Sequence, residues 1–169
     1  MKTLATAATL AVFGATGAFA QDLVYSDTHT ASCLDVGTNA QEKSACIGVS
    51  ANACMEDTEG GFSTVGIGGC LLRELDYWDA SLNANYRALM AEMKKQDADN
   101  AGYGVTGVQK MADALRAMQR AWIAFRDTSC DFERAKFSNG TGAGPAQLGC
   151  LMQMTAERAL FLQSAGEVQ

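Results

Sequence analysis

The stretch VQKMADALRAMQRAWIAFRDTSCDF, Val108 to Phe132, decides the fold. Met111, Leu115, Met118, Trp122 and Phe125 recur in steps of three and four, and Ser129 and Phe132 continue the row. That is the period of an α-helix with one buried face, not the alternation of a strand. Gln119 and Arg126 lie directly beside the row, so they border the buried seam instead of facing water freely. A half-buried cation in that position needs partners, because an unpaired ion in low dielectric costs several kcal/mol.

Two similar rows flank this one. Upstream, Leu75, Trp78, Leu82, Tyr86, Leu89 and Met93 follow helical steps from Leu71. Downstream, Leu148, Met152, Thr155, Ala159 and Leu162 do the same. Between the first two helices, KKQDADNAGYGVTG loses the phase and carries glycines around Tyr103, which predicts a chain reversal and antiparallel packing. Farther upstream, TNAQEKSACIGVSANACMED predicts an N-terminal helix with Thr38 or Asn39 as cap and Glu42 in its first turn. Val, Ile and Thr are too scattered to form alternating runs. The expected fold is all-α, a small antiparallel helical bundle of three to four helices pinned by disulfides.

At the N-terminus, Lys2 precedes the acid-free apolar run LATAATLAVFGATGAFA, and Ala18 and Ala20 bracket Phe19 in a cleavage pattern. Residues 1–20 therefore read as a secretory signal and 21–169 as a single domain, periplasmic or secreted. The cut offers no cysteine for a lipid, so no membrane anchor is expected. The formal charge of -6 becomes about -7 once Lys2 is removed, which argues against nucleic acid or anionic lipid as partner and favours a basic one.

Six cysteines in an exported chain imply disulfides. Many pairings are open to them; sequence neighbours, Cys33 with Cys46, Cys54 with Cys70 and Cys130 with Cys150, are favoured because each closes a short polar or glycine-rich loop. Closing about 15 residues contributes roughly 3 kcal/mol on the chain-entropy account. The stretches EGGFSTVGIGG and SNGTGAGPAQLG lack the features of a phosphate-binding loop. Their glycines are expected to supply the positive φ of tight turns.

Known chemistries find little support. His29 is the single histidine and falls in a stretch read as irregular and solvated, and no C-x-x-C occurs, so no metal site, no cofactor and no catalytic residue is assigned. Glu74, Asp76 and Asp79 share one helix and cannot straddle a glycosidase cleft. Glu74 and Asp76 are expected on the exposed face and Asp79 in a buried hydrogen bond. Asp79, Asn83, Gln119, Arg126, Asp127, Thr155 and Arg158 are read together as one interhelical polar network, a structural clamp in which guanidinium forks bond carboxylates and carbonyls.

Trp78-Asp79 with Leu82-Asn83 and Tyr86, then Gln119 with Trp122, Arg126-Asp127 and Cys130, then Cys150 with Thr155, Arg158 and Leu162, resemble the lysozyme-inhibitor LprI-like family of small exported bacterial domains. The resemblance runs from Cys70 to Leu162 and more loosely from Cys33. It implies a helical, disulfide-containing envelope protein, and the family name implies that some members bind and inhibit lysozyme. Since the residues name no nucleophile or acid for a recess, the chain is expected to bind a protein partner, lysozyme being the candidate, and not to be an enzyme. The segments Glu59 to Gly69 and Ser138 to Gln147 are the expected contact loops. The alternative is an envelope interaction or assembly protein with another partner and no lysozyme inhibition.

Overall fold

The computed structural model describes residues 22–104 and 106–167; the expected signal sequence lies outside the described residues. The helices are α1 (Thr28–Val36), α2 (Ala40–Ser44), α3 (Val49–Asp57), α4 (Thr64–Gly102), α5 (Met111–Ala135) and α6 (Ala143–Glu167). The fold is all-α, as the periodicity requires. Among the described residues three long helices carry the bundle and three short ones cap it, where three to four in total were expected.

Local chemistry explains the boundaries. Ser63 opens α4 by accepting a bond from the Gly66 amide at 3.0 Å. At the far end of α4, the Asp97 carboxylate accepts from the amides of Met111 at 2.8 Å and Ala112 at 3.0 Å. One long helix thus caps the start of the next, since Lys110 supplies no capping side chain of its own. Pro145 sits in the first turn of α6, where its missing N–H has no intrahelical partner to lose. α5 runs back along α4, and α6 returns parallel to α4, tied to it by Asn85 Nδ2 donating to the Ala159 carbonyl at 2.9 Å.

Trp78, Leu82, Leu89 and Met93 of α4 meet Met152, Ala156, Ala159 and Leu162 of α6 in the core. α5 departs from its expected orientation. Its buried positions are Ala112, Leu115, Gln119 and Cys130, while Met118, Phe125 and Phe132 of the anticipated row are exposed. The disulfide from Cys130 to Cys150 fixes this rotation, because it requires Cys130 to face α6.

The expected N-terminal helix is two helices, broken at Gly48, whose φ of 91° few other residues adopt. Asn39 caps α2 by accepting from the Glu42 amide at 3.0 Å. Glu42 in turn accepts from the Thr38 amide at 2.7 Å and its hydroxyl at 2.9 Å, and these bonds hold its carboxyl below the ordinary glutamate range. His29, placed by sequence in an irregular stretch, lies exposed on α1.

Disulfides join Cys33 to Cys46, Cys54 to Cys70 and Cys130 to Cys150, with Cα separations of 5.6, 5.7 and 5.4 Å. They tether α1 to the turn after α2, α3 to α4, and α5 to α6. Most of the glycines near them do a different job from the one expected. In the first stretch only Gly60 has positive φ, whereas a Cβ on Gly61 would lie 2.2 Å from the Met55 carbonyl oxygen and one on Gly66 2.5 Å from that of Gly60. Close backbone approach, not turn geometry, excludes larger residues there. In the second stretch Ser138 takes the left-handed conformation, with φ of 51°, and the glycines do not.

Candidate functional site

The seam between α5 and α6 is built around Trp122. The guanidinium carbons of Arg126 and Arg158 lie 5.1 and 5.4 Å from its ring centre, so two cations clasp one indole. Arg158 also lies 5.0 Å from the Phe161 ring. Its Nε donates to Gln119 Oε1 at 2.9 Å, and burial pulls its pKa below the ordinary arginine value. Nη2 of Arg158 is buried with no hydrogen-bond partner among the described residues. Arg126 donates through Nη1 to Thr155 Oγ1 at 3.3 Å and through Nε and Nη2 to Asp127 Oδ1 at 2.9 and 2.8 Å.

The seven residues anticipated as one network therefore divide. Gln119, Arg126, Thr155 and Arg158 meet across α5 and α6, with Asp127 attached through its neighbour. Asp79 and Asn83 do not join them: both are exposed, and Asn83 Nδ2 donates to Asp79 Oδ2 at 2.9 Å within α4. The expected burial of Asp79 is corrected accordingly. Four residues apart on a helix, the two side chains reach each other before they can reach α5.

Asp79 and Arg126 nevertheless border two shallow recesses between α4 and α5. One, of about 250 Å³, is lined also by Asp76 and Leu151. The other, of about 280 Å³, is lined also by Asn83, Tyr86, Arg116 and Arg120. An acidic wall on α4 thus faces a basic wall on α5. Among the described residues no histidine or free cysteine borders either recess, and no cluster of His, Cys, Asp and Glu has the makings of a metal site.

Sequence reasoning placed Glu74 on the surface, and the structure places it at 0% exposure. Its Oε1 accepts from Thr30 Oγ1 at 3.0 Å, the Gly48 amide at 2.8 Å and Trp78 Nε1 at 3.0 Å, and its Oε2 from the Ala51 amide at 2.6 Å. Gly48 is the N-cap of α3 and has no side chain to cap with, so the carboxylate of α4 takes that place at the positive end of the helix. Thr30 and Ser50 complete the joint by exchanging amide-to-hydroxyl bonds at 2.9 and 3.1 Å. The signal was present in the spacing: Cys70, Glu74, Trp78 and Leu82 step by fours along one buried row.

The anticipated contact segments fall at the end of the bundle where α4 and α6 start, and just past the second of them a Cβ on Gly68 of α4 would be 3.6 Å from Leu148 Cδ1 of α6. Neither is wholly loop. Thr64 already starts α4 and Ala143 already starts α6, so the true turns are residues 58–63 and 136–142. Gln147 steadies the second turn, donating to Asp131 at 2.8 Å and accepting from Arg134 at 3.1 Å. Phe62, Val65 and Phe137 are exposed there at 68, 72 and 49%.

Relatives place this arrangement in a lineage. The uncharacterised 17.7 kDa protein in the puhA 5′ region of Rhodobacter capsulatus is 28% identical over 138 residues, covering 82% of this chain and 85% of the relative. An uncharacterised protein of Rhizobium meliloti is 30% identical over 89 residues, covering 53% of this chain and 63% of the relative. No solved structure matches the chain. Residues 54–162, which hold Glu74, the α5–α6 seam and both turns, match the family described as lysozyme inhibitor LprI, and the chain belongs to that family.

Proposed function

We propose that the protein is an exported, protein-binding inhibitor of a lysozyme-type glycan hydrolase, with the end that carries the two bridged turns as its contact surface. The observation that carries this reading is the match of residues 54–162 to the LprI family, whose span includes both turns. Three features support it. Disulfides on both sides of these turns suit an oxidising compartment outside the cytoplasm. A formal charge of -6 steers a basic enzyme toward the molecule. Prebridged turns bearing exposed aromatic residues cost little conformational entropy to dock.

In this reading a turn enters the glycan cleft and presents N–H donors to the carboxylates that perform hydrolysis. No helix among the described residues is long and apolar enough to cross a membrane. The test is a cell-wall lysis assay with mature oxidised protein against several lysozyme classes. Inhibition that weakens on Phe62→Asp or Phe137→Asp supports the reading. Unchanged lysis at tens of micromolar protein in every class defeats it.

A further inference from the structure

α5 turns its polar seam inward and leaves an uncharged face outside. At 100° per residue, Ala114, Ala121, Thr128 and Ala135 form one column at heptad spacing, and Met118, Phe125 and Phe132 form the column beside it. Ala121, Ala124, Thr128 and Ala135 are exposed, as are Phe125 at 63% and Phe132 at 64%. Thr128 donates its hydroxyl to the carbonyls of Ala124 at 2.8 Å and Phe125 at 3.2 Å, so it asks for no outside partner. Two large aromatic rings standing clear of the core beside a column of small residues make a surface that water solvates poorly.

The charges along one flank of this face say what fits it. In order they are Asp113, Arg116, Arg120, Asp127, Asp131 and Arg134. Their signs invert about the midpoint between Ile123 and Ala124: Asp113 mirrors Arg134, Arg116 mirrors Asp131, and Arg120 mirrors Asp127. A second α5 laid antiparallel about a two-fold axis at that point sets every charge of this flank beside its opposite, whereas a parallel pair turns this flank toward the other side of its partner and makes none of these pairs. Of the six, Asp113 and Arg116 bridge each other in solvent, Arg126 holds Oδ1 of Asp127, and Gln147 holds Oδ1 of Asp131 and Nη1 of Arg134, which leaves the Oδ2 atoms of Asp127 and Asp131 facing out; Arg120 makes no bond among the described residues. In the antiparallel pair Phe125 falls over Ala121 and Ala124 of the second copy, where small side chains leave it room.

We propose that the protein forms an antiparallel homodimer through α5, with the two-fold axis passing between Ile123 and Ala124. One helix pair is small against the usual area of about 800 Å² per partner, so dimer and single chain exchange on dilution. Sedimentation equilibrium of the mature oxidised protein, without lysozyme, from about 1 to about 500 μM, should show the mass rise from one chain to two. Phe125→Glu should keep the mass at one chain without lowering the melting temperature. Arg120→Glu should raise the dissociation constant more than about tenfold, and adding Asp127→Lys should restore it to within about threefold. A single-chain mass at the highest concentration overturns the proposal, as does a charge swap that fails to restore pairing. So does a single chain whose Phe125→Glu variant loses capture of a different protein, which assigns the face to that partner. Because the readout is mass, it stands or falls apart from lysozyme inhibition.

Discussion

Replacing Glu74 with alanine tests the joint between the N-terminal helices and the bundle. The carboxylate satisfies four donors, and Thr30, Ser50, Ala51 and Trp78 are all at 0% exposure, so water does not reach the site to replace it. The Thr30 hydroxyl can turn elsewhere, which strands the amides of Gly48 and Ala51 and the indole N–H of Trp78. At about 1–3 kcal/mol for each stranded buried donor, the loss is roughly 3–9 kcal/mol. Removing a buried charge returns part of that, and a net loss of about 3–5 kcal/mol is the figure to test. Against a total stability of about 5–15 kcal/mol this is large. For a chain of this size it lowers the melting temperature by about 6–20 °C. Thermal unfolding followed by far-UV circular dichroism, with disulfides intact, measures it. Glu157→Ala, an exposed control on α6, should stay within about 0.5 kcal/mol of the parent. Limited proteolysis should also cut the Glu74→Ala variant faster between residues 22 and 50, because α1 and the start of α3 lose their anchor. A Glu74→Ala melt within about 2 °C of the parent refutes the reasoning.

At the seam, Gln119→Leu leaves Arg158 Nε unpaired and should cost about 1–3 kcal/mol in denaturant unfolding, while adding Arg158→Met should recover part of the loss, giving a measurable coupling in a double-mutant cycle. Tyr25 should weaken the fold in alkali: burial, with the Glu74 carboxylate nearby, pushes its pKa from 10.0 up to about 12. The native state therefore holds the phenol proton more tightly than the unfolded chain, and that contribution, complete below pH 10.0, is lost as pH rises toward about 12; Tyr25→Phe should flatten this limb of the stability profile. Replacing Cys130 and Cys150 together with serine should cost about 3 kcal/mol, read as a lower urea midpoint, and should open the turn at residues 136–142 to protease.

How much of this can be read from the chain depends on how many forces agree at each position. On α4 and α6 the apolar row and the packing coincide, so Trp78, Leu82 and Leu89, and Met152, Ala159 and Leu162, sit where helical period puts them. On α5 the two disagree. Period alone turns Phe125 and Phe132 inward, but the tether at Cys130 and the bonds from Gln119 and Arg126 to neighbours rotate the helix toward its polar side. Gln119, Arg126 and Arg158 can be placed at the seam because each lies beside an apolar row. The separation of Asp79 and Asn83 from them depends on side-chain reach, which spacing does not encode. Glu74 is hidden for another reason. A carboxylate looks like a surface residue until the donors that solvate it are known, and those come from residues 30, 48 and 51, distant in sequence.

Glu74 lies inside the family match at residues 54–162, yet of its four donors only Trp78 does. The acid and the segment ahead of Cys54 are therefore a matched set. A relative that kept the acid but shed the preceding helices would carry a stranded anion beside a buried indole, and one that kept those helices without the acid would leave α3 with no cap. Gain or loss of the leading segment in this lineage should accordingly travel with the identity of a single residue on α4, which makes that position a marker for which members are built on the longer plan.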